Sequence, residues 1–138
     1  MESFFFAEDI KVFYVTATSF PEGIQGAYQK LHSLIESPVG RRFFGISYPE
    51  TPSKIIYKAA VEENYPGEGE KLGCETFVIK KGQYTSIYIQ DFMKDIPKIG
   101  QSFQELLADQ RIDPNGCCVE EYISDKDVRC MVRLKDNS

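Results

Sequence analysis

Two stretches 75 positions apart carry similar residues in the same order, and this repeat constrains the fold more than any other feature of the chain. GAYQKL occupies 26–31 and QSFQEL occupies 101–106, so Tyr28 matches Phe103, Gln29 matches Gln104 and Leu31 matches Leu106. The surrounding pattern repeats too. A β-branched and aromatic run reads as a strand, an amphipathic segment as a helix, and two further runs as strands, twice over. A two-unit repeat implies a pseudo-two-fold domain with its halves side by side. A cleft between such halves is a natural place for a ligand.

The first series runs from a strand at 11–18 to a helix at 22–36, with Ile24, Tyr28, Leu31 and Ile35 at helical spacing. Strands follow at 42–48 and 55–63, with a Pro-rich turn at 49–52. Residues 64–73, NYPGEGEKLG, read as the linker between halves. The second series has extended segments at 75–80 and 84–90. Its helix is marked by Ile96, Ile99, Phe103, Leu106 and Leu107, and strands at 117–123 and 128–134 complete it. Each post-helix strand ends in a tyrosine, Tyr48 and Tyr122, 74 positions apart.

The 138 residues suffice for one domain with a core that needs neither disulfide nor metal. A net charge of −5 argues against a nucleic-acid surface, which needs clustered Lys and Arg. No apolar run approaches the ~18 residues of a membrane span, and MESFFFAEDI lacks the basic start of a signal peptide. A cytoplasmic protein is expected, with Cys74, Cys117, Cys118 and Cys130 as thiols. No membrane and no direct nucleic-acid partner is expected; the oligomeric state is open.

Strand alternation separates a helix-covered face from an open one. Phe13, Val15 and Ala17 go under the first helix, and Thr85, Ile87 and Ile89 under the second. In the penultimate strand Cys117, Val119 and Ile123 take the apolar side, leaving Cys118, Glu120 and Tyr122 on the open face. The 74-residue tyrosine offset pairs these three with Phe44, Ile46 and Tyr48. The open face then collects Tyr14, Phe44, Ile46, Tyr48, Tyr84, Tyr88, Cys118, Glu120 and Tyr122. Rings with one carboxylate suit a flat organic ligand, preferably a cation.

Other chemistry is poorly supplied. One His beside Cys117-Cys118 does not make a zinc site, so no metal or other cofactor is expected. The glycines of PGEGEKLG lack the Gly-Lys-Ser/Thr ending of a phosphate loop. His32 is the only imidazole, too little for a nucleophilic triad, and reads as a boundary residue.

The pieces FGISYPETP (44–52), YKAAV (57–61), PGEGE (66–70), KGQY (81–84) and VEEY (119–122) resemble, in order and spacing, the GyrI-like effector-binding domain family. This is the small-molecule domain of AraC- and MerR-type bacterial activators, also found free-standing. The resemblance implies an α+β fold: two βαββ repeats forming a curved antiparallel sheet, with helices on one side and a ligand groove on the other. It implies a pocket acid in Glu120-x-Tyr122 and a Gly-x-Tyr at Gly82-x-Tyr84. The chain departs from the family in having no Trp, and in Tyr57-Lys58 where many members have Tyr-Asp. No helix-turn-helix is expected before residue 10 or after 134.

The expected function is non-enzymatic binding of hydrophobic, cationic or planar aromatic small molecules, for sequestration or presentation to a partner regulator. One alternative is a hydrolase of strained small-ring electrophiles, with Glu120 as base and Tyr84 or Tyr122 as proton donor. Another, carried by the family's name, is an acidic protein inhibitor of DNA gyrase.

Overall fold

The computed structural model describes residues 1–136. The chain is α+β, and its paired strands run antiparallel. It divides into two compact units, Ile10–Ile79 and Met1–Asp9 together with residues from 80 onward.

The first unit contains strands β2 (Ile10–Thr16), β3 (Phe43–Thr51), β4 (Lys54–Glu62) and β5 (Glu75–Ile79), ordered β3-β4-β2-β5. Helix α1 (Ile24–Leu34) lays Ala27 and Leu31 onto Phe13, Ala59 and Val61, with Val15, Ala17, Tyr28, Ile35 and Phe43 around them. Apolar residues three and four apart share one side of a helix, which is why this stripe was legible as a periodicity. The expected turn at 49–52 is shorter than the sequence suggested. β3 continues to Thr51, its register shifting between Pro49 and Thr51, and only Pro52 and Ser53 turn.

The second unit contains β1 (Glu2–Phe6), β6 (Gly82–Ile89), β7 (Cys118–Tyr122) and β8 (Val128–Arg133), ordered β1-β6-β8-β7. Helix α3 (Pro97–Leu107) packs Phe103 and Leu106 onto Ile89, Val128, Cys130 and Val132. The matched pair Leu31 and Leu106 is fully buried in both units.

The repeat therefore holds in topology: strand, helix, strand, strand, with the last strand between the other two. Each unit also takes in the strand that leads the other repeat. β5 precedes β6 in sequence but pairs with β2, and β1 precedes β2 but pairs with β6.

This exchange moves the boundary. It falls between Ile79 and Lys80, not in residues 64–73. That stretch is no linker, because it carries the short helix α2 (Glu68–Lys71), held by a buried ion pair. Arg41 donates from both terminal nitrogens to Glu68, at 2.8 and 2.6 Å, and the Asn64 backbone N–H donates to the same carboxylate. Glu63 accepts from the Gly69 backbone N–H. A Cβ at Gly69 would stand 2.7 Å from Cβ of Phe13, so only glycine lets α2 approach β2 this closely.

Candidate functional site

Strand register decides which face each predicted site residue occupies. In β6 the reading holds: Ile87 and Ile89 lie with the α3 core, and Tyr84, Ser86 and Tyr88 alternate away from it. In β7 it fails. Cys118, Glu120 and Tyr122 stand opposite Val132, Cys130 and Val128, which form the core under α3. These three candidates therefore face the helix, and Val119 and Glu121 face away. A slip of one residue exchanges the two faces of a strand. Placing Val119 and Ile123 on the core side made that slip, and the tyrosine offset of 74 agreed with it by pairing Ile46 with Glu120, whereas the helix offset of 75 pairs Ile46 with Glu121.

On the helix side of the second unit, Glu120 is 8% exposed. The Tyr122 hydroxyl donates to Glu120 Oε1 at 2.5 Å. Tyr122 is half-buried and meets Phe92 edge-on, with ring centroids 5.6 Å apart. Half-buried Cys118 packs into the same cluster, and Cys130 stands directly opposite Glu120. Burial first, then the negative charge of Glu120, pushes the Cys130 thiol well above the ordinary thiol range. Phe92 is anchored by its chain neighbours. Its N–H donates to the Lys126 carbonyl, and Asp127 accepts from the Asp91 N–H and from the Tyr88 hydroxyl.

On the face away from the helices, the aromatic residues surround cations of this chain itself. In the first unit the Lys58 ammonium lies 4.4 Å from the Tyr14 ring centre, 5.1 Å from Tyr48 and 5.4 Å from Phe77. In the second, the Arg129 guanidinium lies 4.2 Å from Phe4 and 5.5 Å from Tyr88, and it pairs with Glu121 at 3.2 Å. Tyr14 also donates to Glu75 at 2.7 Å; burial and this bond raise its pKa, against the pull of Lys58.

The remaining candidates are held by packing or by internal hydrogen bonds. Phe44 and Ile46 are wholly buried, so neither offers a ligand surface. Tyr84 is 2% exposed, donates to the Lys80 carbonyl at 2.7 Å and packs edge-on against Phe6; burial pushes its pKa up to about 12. Tyr88 is exposed and spends its hydroxyl on Asp127. The expected wall thus separates into one ring cluster per unit, plus a buried acid–tyrosine pair on the opposite face. Lys58, Phe77, Phe4 and Arg129 went unread as members of these clusters. Alternation in IIYKAAVEE would have placed Lys58 opposite Tyr57, but Phe4 and Phe77 lie on the two exchanged strands. His32 is exposed and stacks on Phe43 at 4.9 Å.

Among the described residues, no group of His, Cys, Asp and Glu is arranged to hold a metal ion, and no helix is long and apolar enough to cross a membrane.

No family profile matches the chain, and no curated protein does. Solved structures resemble its fold. One is an integron cassette protein from the mobile metagenome of Vibrio cholerae, with a TM-score of 0.63 and 12% identity, covering 98% of this chain and 100% of that one. Another is described as a hydrolase from Listeria innocua, with a TM-score of 0.61 and 12% identity, covering 97% of this chain and 90% of that one. At such identity the likeness defines a fold class and says nothing about chemistry.

Proposed function

We propose that this chain is a cytoplasmic binding module for planar aromatic cations, taken up at Glu120, Tyr122 and Phe92. The observation that carries the reading is the Glu120 carboxylate, 8% exposed and held by the Tyr122 hydroxyl at 2.5 Å. Removing a carboxylate from water is costly, and a fixed negative charge beside aromatic rings attracts an organic cation. Half-buried Tyr122 and Phe92 supply the rings, and Met93 and Ile123, their exposed chain neighbours, supply apolar surface for the ligand's approach. The Glu-x-Tyr pair is also the feature in which the chain resembles the GyrI-like domains. Sequestration of a toxic cation, or its presentation to a regulator, is the role this chemistry suits.

Calorimetric titration with N-methylacridinium and with neutral acridine at about pH 8 tests it. Glu120→Gln keeps size and an acceptor oxygen, so it isolates the charge. A charge contact in a partly dry site is worth on the order of 1–3 kcal/mol, so the cation should lose roughly ten- to a hundredfold in affinity and the neutral ring much less. Equal losses for both ligands, or none, would overturn the reading.

The same 2.5 Å contact favours one second reading. A carboxylate and a phenol in this contact could open a strained ring, Glu120 taking a proton from water as its oxygen attacks ring carbon, and Tyr122 protonating the departing atom. A product carrying one added water, lost in both Glu120→Gln and Tyr122→Phe, would mark this activity.

A further inference from the structure

The two ring-and-cation clusters occupy corresponding places in the repeat but differ in one respect. Ile46 stands directly opposite Lys58, and Glu121 directly opposite Arg129. Ile46 and Glu121 are the 75-offset partners, and Phe77 and Phe4 lie on the exchanged strands β5 and β1. In the second unit the cation is neutralised by Glu121 at 3.2 Å. In the first, that carboxylate is replaced by a buried isoleucine, and among the described residues Lys58 forms no ion pair.

We propose that the cluster of Lys58, Tyr14, Tyr48 and Phe77 is a binding site for planar aromatic carboxylates. The ammonium supplies the counter-charge, and the three rings supply the stacking surface. Lys58, Tyr14, Tyr48 and Phe77 are each half-buried, so the charge is partly shielded from water and still within reach of a ligand. Three rings within 5.4 Å hold the ammonium in place without neutralising it. The ammonium is already partly stripped of water, so pairing with an anion costs it less further dehydration than at a mobile surface lysine, and charge-assisted contacts in such a setting are strong. The one carboxylate in the cluster, Glu75, is exposed and engaged by the Tyr14 hydroxyl. It opposes an anion there, so its removal should improve binding. This site is on the other unit and has the opposite charge preference from the Glu120 site, so neither reading depends on the other.

Titration of the whole chain with 2-naphthoate, with its neutral isostere 2-naphthamide, and with sodium acetate as a ring-free anion tests the proposal. 2-Naphthoate should bind about tenfold more tightly than either comparison compound, since it alone uses both charge and rings. Lys58→Met keeps the aliphatic stem and should remove that preference. Glu75→Gln should strengthen 2-naphthoate binding. In the unaltered protein, the Lys58 Nζ and Tyr14 ring NMR signals should shift on adding 2-naphthoate, a readout that requires no variant to fold. The proposal is overturned if 2-naphthoate binds no better than the amide, if acetate matches it, or if Lys58→Met retains the preference. Shifts confined to residues of the other unit would overturn it too.

Discussion

The pair Arg41–Glu68 shows how much one contact can decide. Both side chains are nearly inaccessible, at 4% and 7%, and the guanidinium meets both carboxylate oxygens. A buried charge tolerates burial only while its partner stays. Removing one partner leaves the other uncompensated, so Glu68→Ala should cost about 3 kcal/mol in urea unfolding. Lys54–Glu50, at 3.4 Å with both side chains more than half exposed, is the control. Glu50→Ala should shift stability by less than about 0.5 kcal/mol, because exposed pairs gain little over water. Similar losses for both would mean that α2 is not held by its ion pair. The sequence showed Arg41 and Glu68 only as charges near glycines. Nothing local in NYPGEGEKLG marks a glutamate as buried, since its partner lies 27 positions away.

At the scale of elements, β1 is the instructive case. Its segment reads ESFFF, and three adjacent phenylalanines hide an alternation that the structure makes plain. Phe6 is buried and Phe4 half-buried beneath Arg129, whereas Phe5 is 58% exposed. Composition cannot show a period of two when every position holds the same residue. The pairing of β1 with β6 spans some eighty positions, beyond any local signal. By contrast, α1, α3 and the faces of β2 and β6 were legible because each has a varied pattern with one clear period. β7 sits between these cases. Cys-Val-Glu-Glu-Tyr puts Val and Glu on one face and Cys, Glu and Tyr on the other, so hydropathy alone does not set its phase. That is why the face of Glu120 was not legible from the strand itself. The exchange of β1 makes a prediction at this scale. Deleting residues 1–7 exposes the free edge of β6 and removes Phe6 from the Tyr84 ring, 5.3 Å away. Amide exchange should quicken along Gly82–Ile89 and stay unchanged along Ile10–Thr16, whose partners are β4 and β5. Equal quickening of both strands, or of neither, would contradict the assignment of β1 to the second unit.

For the molecule as a whole, the groups whose pKa shifts on folding set how stability responds to pH. On the acid side, Glu68 and Glu62 are lowered from 4.5, first by hydrogen bonds from Arg41 and Arg42 respectively, against the opposing effect of burial. A carboxyl that binds its proton less readily when folded adds stability above its unfolded pKa, and this is lost as pH falls through the folded value. Asp109, lowered to about 2 by Arg111, has the same sign, but water screens that pair and its contribution is small. On the alkaline side the signs reverse. Tyr84 is raised from 10 to about 12 and Cys130 is raised from 9, both first by burial. Each holds its proton more tightly when folded, so its contribution is complete below the unfolded pKa and is lost as pH climbs through the folded one. Melting temperature should therefore fall below about pH 4.5, and fall again from about pH 9 upward, with Tyr84 acting between 10 and 12. Tyr84→Phe separates the two alkaline contributions. The variant loses the hydrogen bond to Lys80, about 1 kcal/mol at neutral pH, but has no phenol to ionise. Its decline should keep the onset near pH 9 set by Cys130 and become shallower above 10. An alkaline decline as steep as that of the unaltered protein would show that the Tyr84 phenol ionises as readily in the folded state as in water, contrary to its burial beside Phe6.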